Sequence, residues 1–354
     1  MPVEEAHGTA TERVIASARF INEHSSDVRV PEAGVQRAAR EILERMQSTG
    51  YSAAEWKRHA LTPSVADEAA LEWIFVVDAL NFSFWPTRAD RAQQYMVTLD
   101  GTPYRGYWSL CAAVNRALRE GVAITDARHY AHMTAEALAH VFRTDDPQAQ
   151  EPIPMLAERV QVLREAGRVL EARYGGRFAN MVAQCGGSAQ RLVETVVREL
   201  PSFRDEHAFG GRTVCLYKRA QILVADVWAC FEGRGAGRFA DIGSVTMFAD
   251  YRVPQALCHF GALEYSPQLR ARLEKSEAAV RRGDAPLLLA SGDPREVEIR
   301  GNSIWAVERI RRLIAAAGAD VNAVMIDFFL WDYAKEHADA MREIPIHHTR
   351  SVYY

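Results

Sequence analysis

The sequence predicts a mostly helical protein with one short β-hairpin. Three observations carry that expectation. Apolar residues recur at three- and four-residue spacing through much of the chain, side chains able to cap helices stand where several of these runs begin, and glycine pairs separate them. In chain order, helices are expected near 10–22, 35–48, 66–80, 107–120, 134–143, 155–173, 188–199, 214–231, 268–281, 303–317 and 320–336. The spacing is clearest in Val160, Leu163 and Val169–Leu170, and again in Leu192, Val193, Val196 and Val197. Thr134, Ser188 and Asp320 are placed to cap the runs they precede. The hairpin is expected over Tyr95–Tyr104, where Asp100–Gly101 makes a good two-residue turn. Glycines at 175–176, 186–187, 210–211 and 233–237 break the chain, and Asp145–Pro154, rich in proline, reads as a surface loop.

The 354 residues, 48% hydrophobic and 25% charged, suit one globular helical domain over 1–354, with residues 1–60 contributing N-terminal helices of less defined role. A formal net charge of −4 argues against a large nucleic-acid footprint. No secretory leader and no membrane-length apolar run is seen. Cys111, Cys185, Cys215, Cys230 and Cys258 are scattered and never form C-x-x-C, so they read as reduced thiols in a cytoplasmic protein. His129, His132, His140 and the pair His347–His348 form no metal signature, and no cofactor or metal is expected. Lys57, Lys218, Lys275 and Lys335 are the only lysines among 42 Lys plus Arg residues, which draws attention to Lys218 in its apolar stretch.

Chemistry concentrates in a few places. Residues 73–85 interleave five aromatic rings with Asp78, Asn81 and Ser83, ahead of Pro86. Rings to stack and polar groups to read an edge suit a flat heteroaromatic ligand, although a buried helix turning at Ser83–Pro86 explains the segment equally well. The apolar helix expected at 214–231 carries Lys218, Gln221 and Asp226. In a regular helix Lys218 and Asp226 lie about 12 Å apart along the axis, so each needs a partner elsewhere. Lys218 at an exposed helix end, with Asp226 bonded to backbone, is the plainer alternative. Asp250 lies in Thr246–Gln255 beside Tyr251 and Arg252, shortly before Pro254, where it either caps a following helix or does chemistry, the cap being slightly favoured on residue types alone. The Gly233–Gly237 loop lacks the strand that a phosphate cradle needs and reads as a connection.

Several stretches together resemble the queuosine salvage protein family of queuosine 5′-phosphate N-glycosylases. They are Glu72–Trp73 with Asp78–Trp85, Gly106–Arg116, Met247–Gln255, Glu298–Ser303 and His348–Arg350. The similarity runs from about residue 70 to the C-terminus and is looser over the first 60 residues. It implies an all-helical fold like that of helix-hairpin-helix DNA glycosylases, and cleavage of the base–ribose bond of queuosine 5′-monophosphate to free queuine for tRNA modification. By this resemblance Asp250 matches a catalytic aspartate, Lys218 an active-site lysine, and Asn81-Phe82-Ser83-Phe84-Trp85 a base-pocket motif. Asp226 joins them as a candidate catalytic group. Asp78, Tyr251, Arg252 and Arg350 are candidate substrate contacts, with Lys218, Arg252 and Arg350 available to a 5′-phosphate. The expected partner is the nucleotide alone, bound by a monomer. The rival expectations are a DNA or RNA base glycosylase acting on a flipped base, and a non-catalytic nucleotide- or tRNA-binding protein.

Overall fold

A computed structural model describes residues 8–354. The helices, in order, are α1 (Ala10–His24), α2 (Glu32–Thr49), α3 (Glu68–Ala79), α4 (Tyr107–Arg119), α5 (Ala127–Tyr130), α6 (Ala135–Val141), α7 (Leu156–Tyr174), α8 (Phe178–Gln184), α9 (Ala189–Glu199), α10 (Lys218–Cys230), α11 (Val253–His259), α12 (Pro267–Arg281), α13 (Pro294–Ala316) and α14 (Ala323–Glu336). Three two-stranded antiparallel ribbons complete the described residues: β1 (Val28–Arg29) with β6 (Glu264–Tyr265), β2 (Val97–Leu99) with β3 (Thr102–Tyr104), and β4 (Glu206–Phe209) with β5 (Arg212–Cys215). Every expected helical region contains a helix, and the expected hairpin is β2–β3. Its turn residues Asp100 and Gly101 both have positive φ, 51° and 75°, the geometry that a two-residue hairpin turn favours.

Three local expectations are corrected. The run expected as a helix from 214 opens as strand β5, and α10 begins only at Lys218, because Gly210–Gly211 turns β4 back on itself in a second hairpin. The cap of α14 is Asn322, whose side chain accepts the Met325 N–H, rather than Asp320. The helix expected from 303 starts nine residues earlier, at Pro294 behind the Asp293 cap. Its opening turns hide from a periodicity search because Glu296, Glu298 and Arg300 point into the interior, where ion pairs and hydrogen bonds satisfy them. The short helices α5, α8 and α11 had too few turns to show a period.

Helix α10 supplies one wall of the site. It packs against α3, α9 and a 3-10 turn at Ala53–Arg58, while α13 packs on α1, α2, α11 and α14. Close approach is built in at Gly34 of α2, where a Cβ would fall 1.7 Å from the Gly261 carbonyl oxygen. The Gly233–Gly237 segment is a turn pressed against Phe231 at the end of α10, a connection as expected. No helix among the described residues is long and apolar enough to cross a membrane.

Candidate active site

The end of α3 positions the first wall of the site. A helix leaves its last carbonyls without intrahelical partners, and a glycine cap often follows. Here the last helical carbonyl, Ala79, and the four carbonyls that follow it each meet a cationic side chain, in keeping with the negative end of the helix dipole. Arg219 donates to Ala79 O, Arg159 Nη1 to Leu80 O (2.5 Å) and Lys218 Nζ to Asn81 O (3.3 Å). Arg159 Nη2 then donates to Phe82 O (2.6 Å), and Arg350 Nη1 to Ser83 O (2.9 Å). Ser83 is held at φ 55°, and its backbone N–H donates to Tyr354 O (2.8 Å). Its hydroxyl donates to Ser351 O (2.8 Å) and accepts the Ser351 N–H (3.0 Å). Trp85 Nε1 donates to Thr349 O (2.8 Å), under the Arg350 guanidinium 3.4 Å from its ring. Phe82 packs beneath Arg159 and Arg219. The sequence motif therefore divides: Ser83 and Trp85 hold the C-terminal segment with Arg350, Phe82 packs under Arg159 and Arg219, and Asn81 and Phe84 face a cavity.

That cavity holds about 580 Å³. Lys218, Ile222 and Asp226 enter it from α10, four residues apart and hence on one face. Asp250, Tyr251 and Arg252 enter from the segment leading into α11, and Asp327, Phe328, Trp331, Asp332 and Lys335 from α14. Tyr107 and Trp108 come from the start of α4, and Tyr51, Trp56 and His59 from the chain around the 53–58 turn. The rings are organised: His59 stacks on Trp108 (3.4 Å, 6°), Trp108 meets Trp331 edge-on at 6.1 Å, and Phe248 lies 6.0 Å from Phe328.

The Asp250 segment is anchored along its length. Gln221 Oε1 accepts from both Thr246 N and Thr246 Oγ1 (2.9 Å each), Asp327 Oδ2 accepts from Phe248 N (2.9 Å), and Arg300 Nε donates to Ala249 O (2.9 Å). Asp250 Oδ1 then accepts the N–H groups of Arg252 and Val253 (2.8 Å each). The cap is thus present, with one Asp250 oxygen accepting from the chain entering α11, and among the described residues no hydrogen bond occupies the other oxygen. Lys218 is buried, 4% exposed, at the first position of α10, not at a surface end. A cation at a helix N-terminus is disfavoured by the dipole, so its partners must be found across the cavity.

The charges shift accordingly. Burial pushes Asp250 above the usual carboxylate range, opposed first by Lys218 and then by the two N–H donors. Burial pulls Lys218 down, and Asp250 and Asp78 oppose that. Asp226 is driven well above its ordinary value by burial and then by Asp78; Asp327 is raised likewise by burial and by Asp250. Asp78 lies just behind the lining, fully buried and pushed up to about 7 by burial. Its Oδ1 accepts from Asn81 Nδ2 at 3.4 Å, while Oδ2 has no partner. Asp332, bonded to the Tyr51 hydroxyl (2.5 Å), is raised to about 6 by burial.

Sequence reasoning missed the α14 wall and the 51–62 segment. The signal that marked 73–85, rings interleaved with polar groups, recurs in Asp327–Lys335, and Lys335 is the other scarce lysine reaching the cavity. Trp56 and His59 had no such signal, since a 3-10 turn carries no helical period.

Comparison with known proteins identifies relatives along nearly the whole chain. The family model described as queuosine salvage protein matches residues 61–354. The queuosine 5′-phosphate N-glycosylase/hydrolase of Mus musculus is 47% identical, over 96% of this chain and 97% of its own. Those of Schizosaccharomyces pombe and Sphaerobacter thermophilus are 43% and 38% identical, over 97% and 98% of this chain and 99% and 97% of their own. Similarity to these relatives extends into the first 60 residues, beyond the stretch where the motifs lie. With the family model matching residues 61–354 and relatives matched over nearly their whole length, this chain belongs to the queuosine salvage protein family.

Proposed function

We propose that this protein hydrolyses the N-glycosidic bond of queuosine 5′-phosphate, adding water to release queuine and ribose 5-phosphate. The single observation that carries the reading is the convergence of Asp250, Lys218 and Asp226 on one aromatic-walled cavity in a chain 47% identical to an N-glycosylase/hydrolase of that nucleotide.

Breaking the bond builds positive charge on the ribose. Asp250 presents its unbonded carboxylate oxygen to that charge, by ion pairing or by covalent capture, and Lys218 favours the ionised form against the effect of burial. Queuine is a 7-deazaguanine, with carbon where an ordinary purine has N7, so the proton that eases departure must reach another edge atom. Asp226, whose carboxyl is raised well above its ordinary value by burial and which lines the same cavity, serves as the acid. Asn81 reads the base edge while Phe84 and the tryptophans supply stacking surface. Arg252, with Lys335 and Arg58 on the cavity wall, meets the 5′-phosphate; Glu55, Asp332 and Glu336 match the cationic secondary amine of queuine. The role first considered for Arg350 passes to these residues, because Arg350 is engaged with Ser83 and Trp85. The substrate is a mononucleotide, consistent with a net charge of −4, and a cytoplasmic setting fits the free cysteines.

The test is incubation with queuosine 5′-monophosphate and, separately, with intact queuosine-containing tRNA, followed by mass detection of free queuine. Release from the mononucleotide alone is expected. Release from tRNA alone, or tight binding of the nucleotide with no queuine formed, would overturn the reading.

A further inference from the structure

The Glu298–Ser303 stretch places no side chain in the cavity, and most of it serves packing between α13 and the N-terminal region. Glu298 Oε2 accepts the N–H groups of Ser26, Asp27 and Val28 (3.0, 2.7 and 3.0 Å). A Cβ on Gly301 would fall 2.4 Å from Ile21, and Asn302 Nδ2 donates to Ser25 Oγ (2.7 Å). Arg300 faces the other way. It is completely buried, and its guanidinium touches three parts of the site at once. Nε donates to the carbonyl of Ala249, the residue before Asp250, at 2.9 Å. Nη1 and Nη2 donate to the two oxygens of Asp205 (3.0 and 2.6 Å), and Asp205 Oδ2 also accepts the backbone N–H of Lys218 (3.2 Å). The ring of Tyr354, a cavity wall, lies 4.0 Å from Arg300 Cζ. Glu296 (3.2 Å) completes the guanidinium's ionic partners, and His207 Nε2 lies 2.9 Å from Asp205 Oδ1.

A buried ion pair contributes little to stability over a well-packed apolar replacement, so its value lies in geometry. A planar fork with fixed donor directions holds several acceptors in one arrangement, which an ammonium cannot do.

We infer that Arg300 is a positioning residue for the hydrolysis: through the Ala249 carbonyl and the Asp205 bridge to Lys218 it holds the Asp250 carboxylate and the Lys218 ammonium at their working separation. The inference rests on the roles proposed above for Asp250 and Lys218. Asp250 is also faced by Asp327 and Lys335 from α14 and by Tyr251 and Arg252 of its own segment, none of which bonds to Arg300. Of the groups that shift Asp250, Lys218 is the one Arg300 controls.

The test compares Arg300→Lys and Asp205→Asn with the unaltered protein; the second keeps side-chain size and one acceptor oxygen where the first fails to fold. Folding is checked by circular dichroism, and kcat, KM and the pH profile of kcat/KM are measured with queuosine 5′-monophosphate. In folded variants kcat is expected to fall on the order of 10- to 100-fold, the cost of a displacement near 1 Å, with KM little changed. The acid limb moves to higher pH, because Lys218 holds the Asp250 pKa down and retreats from it. In a Lys218→Met background the same changes add little, since both act through one pair. A folded variant with unaltered kcat and acid limb, or costs that add fully in that background, overturns the inference. If Asp250→Asn is inactive while Arg300→Lys is normal, the inference fails alone. If Asp250→Asn is itself fully active, the proposed mechanism fails with it.

Discussion

Replacing Asp250 by Asn separates the cap that side chain makes from the electrostatic role proposed for it. The amide oxygen can still accept from Arg252 N and Val253 N, both 2.8 Å from Oδ1, so the cap on the chain entering α11 survives. Asn and Asp cap almost equally well, and the lost charge–dipole term is small, so stability should change by no more than about 1 kcal/mol. The chemical cost is larger. A carboxylate about 4 Å from a full positive charge interacts by about 4 kcal/mol at an effective dielectric of about 20. The transition state carries most of that charge, so about 3 kcal/mol of barrier is at stake, and kcat should fall by about 10²- to 10³-fold. The assay is queuine release from saturating queuosine 5′-monophosphate, followed by mass spectrometry, beside a thermal melt. Asp250→Ala is the control: it loses the cap as well and should melt lower by about 1 kcal/mol of stability while being no more active. Near-normal kcat in Asp250→Asn would refute the electrostatic role.

Two further outcomes follow from the same geometry. Phe84→Ala removes a cavity ring from the stacking surface and should weaken substrate binding by about 1–3 kcal/mol, read as a raised KM with a smaller change in kcat; a lowered kcat at unchanged KM would contradict a stacking role. Asp78 titrates near 3.8 when unfolded but is pushed up to about 7 when buried, so the folded state prefers its protonated form. Its contribution to stability is full below the unfolded value and is lost as pH rises through about 7. Asp78→Asn, which cannot ionise, should therefore melt progressively higher than the unaltered protein as pH rises from about 4 to about 8. A melting difference that stays flat with pH would refute the shift.

How much of this was legible beforehand differs between elements for physical reasons. Long amphipathic helices such as α7 and α9 bury one stripe, and the stripe is written in their spacing. The start of α13 buries charged residues on ion-pair and hydrogen-bond partners, so its apolar pattern vanishes and nine residues of helix escaped detection. In Asn81-Phe82-Ser83-Phe84-Trp85, composition marked the region but not the division of labour. Which side chain faces the ligand depends on the left-handed Ser83 and on cations arriving from α7, α10 and the C-terminal segment.

By itself, then, the chain determined its long helices, its hairpin turn and its family, and singled out Asp250 and Lys218 as candidates, because local periodicity, turn chemistry and short motifs are properties of neighbouring residues. Only the tertiary structure decided that Asp226 shares a cavity with Asp250, that α14 and the 51–62 segment wall it, and that Arg300 joins Ala249 to Lys218 by way of Asp205. Burial and charge proximity between residues far apart in sequence set the protonation of these groups, and neither exists until the chain has folded.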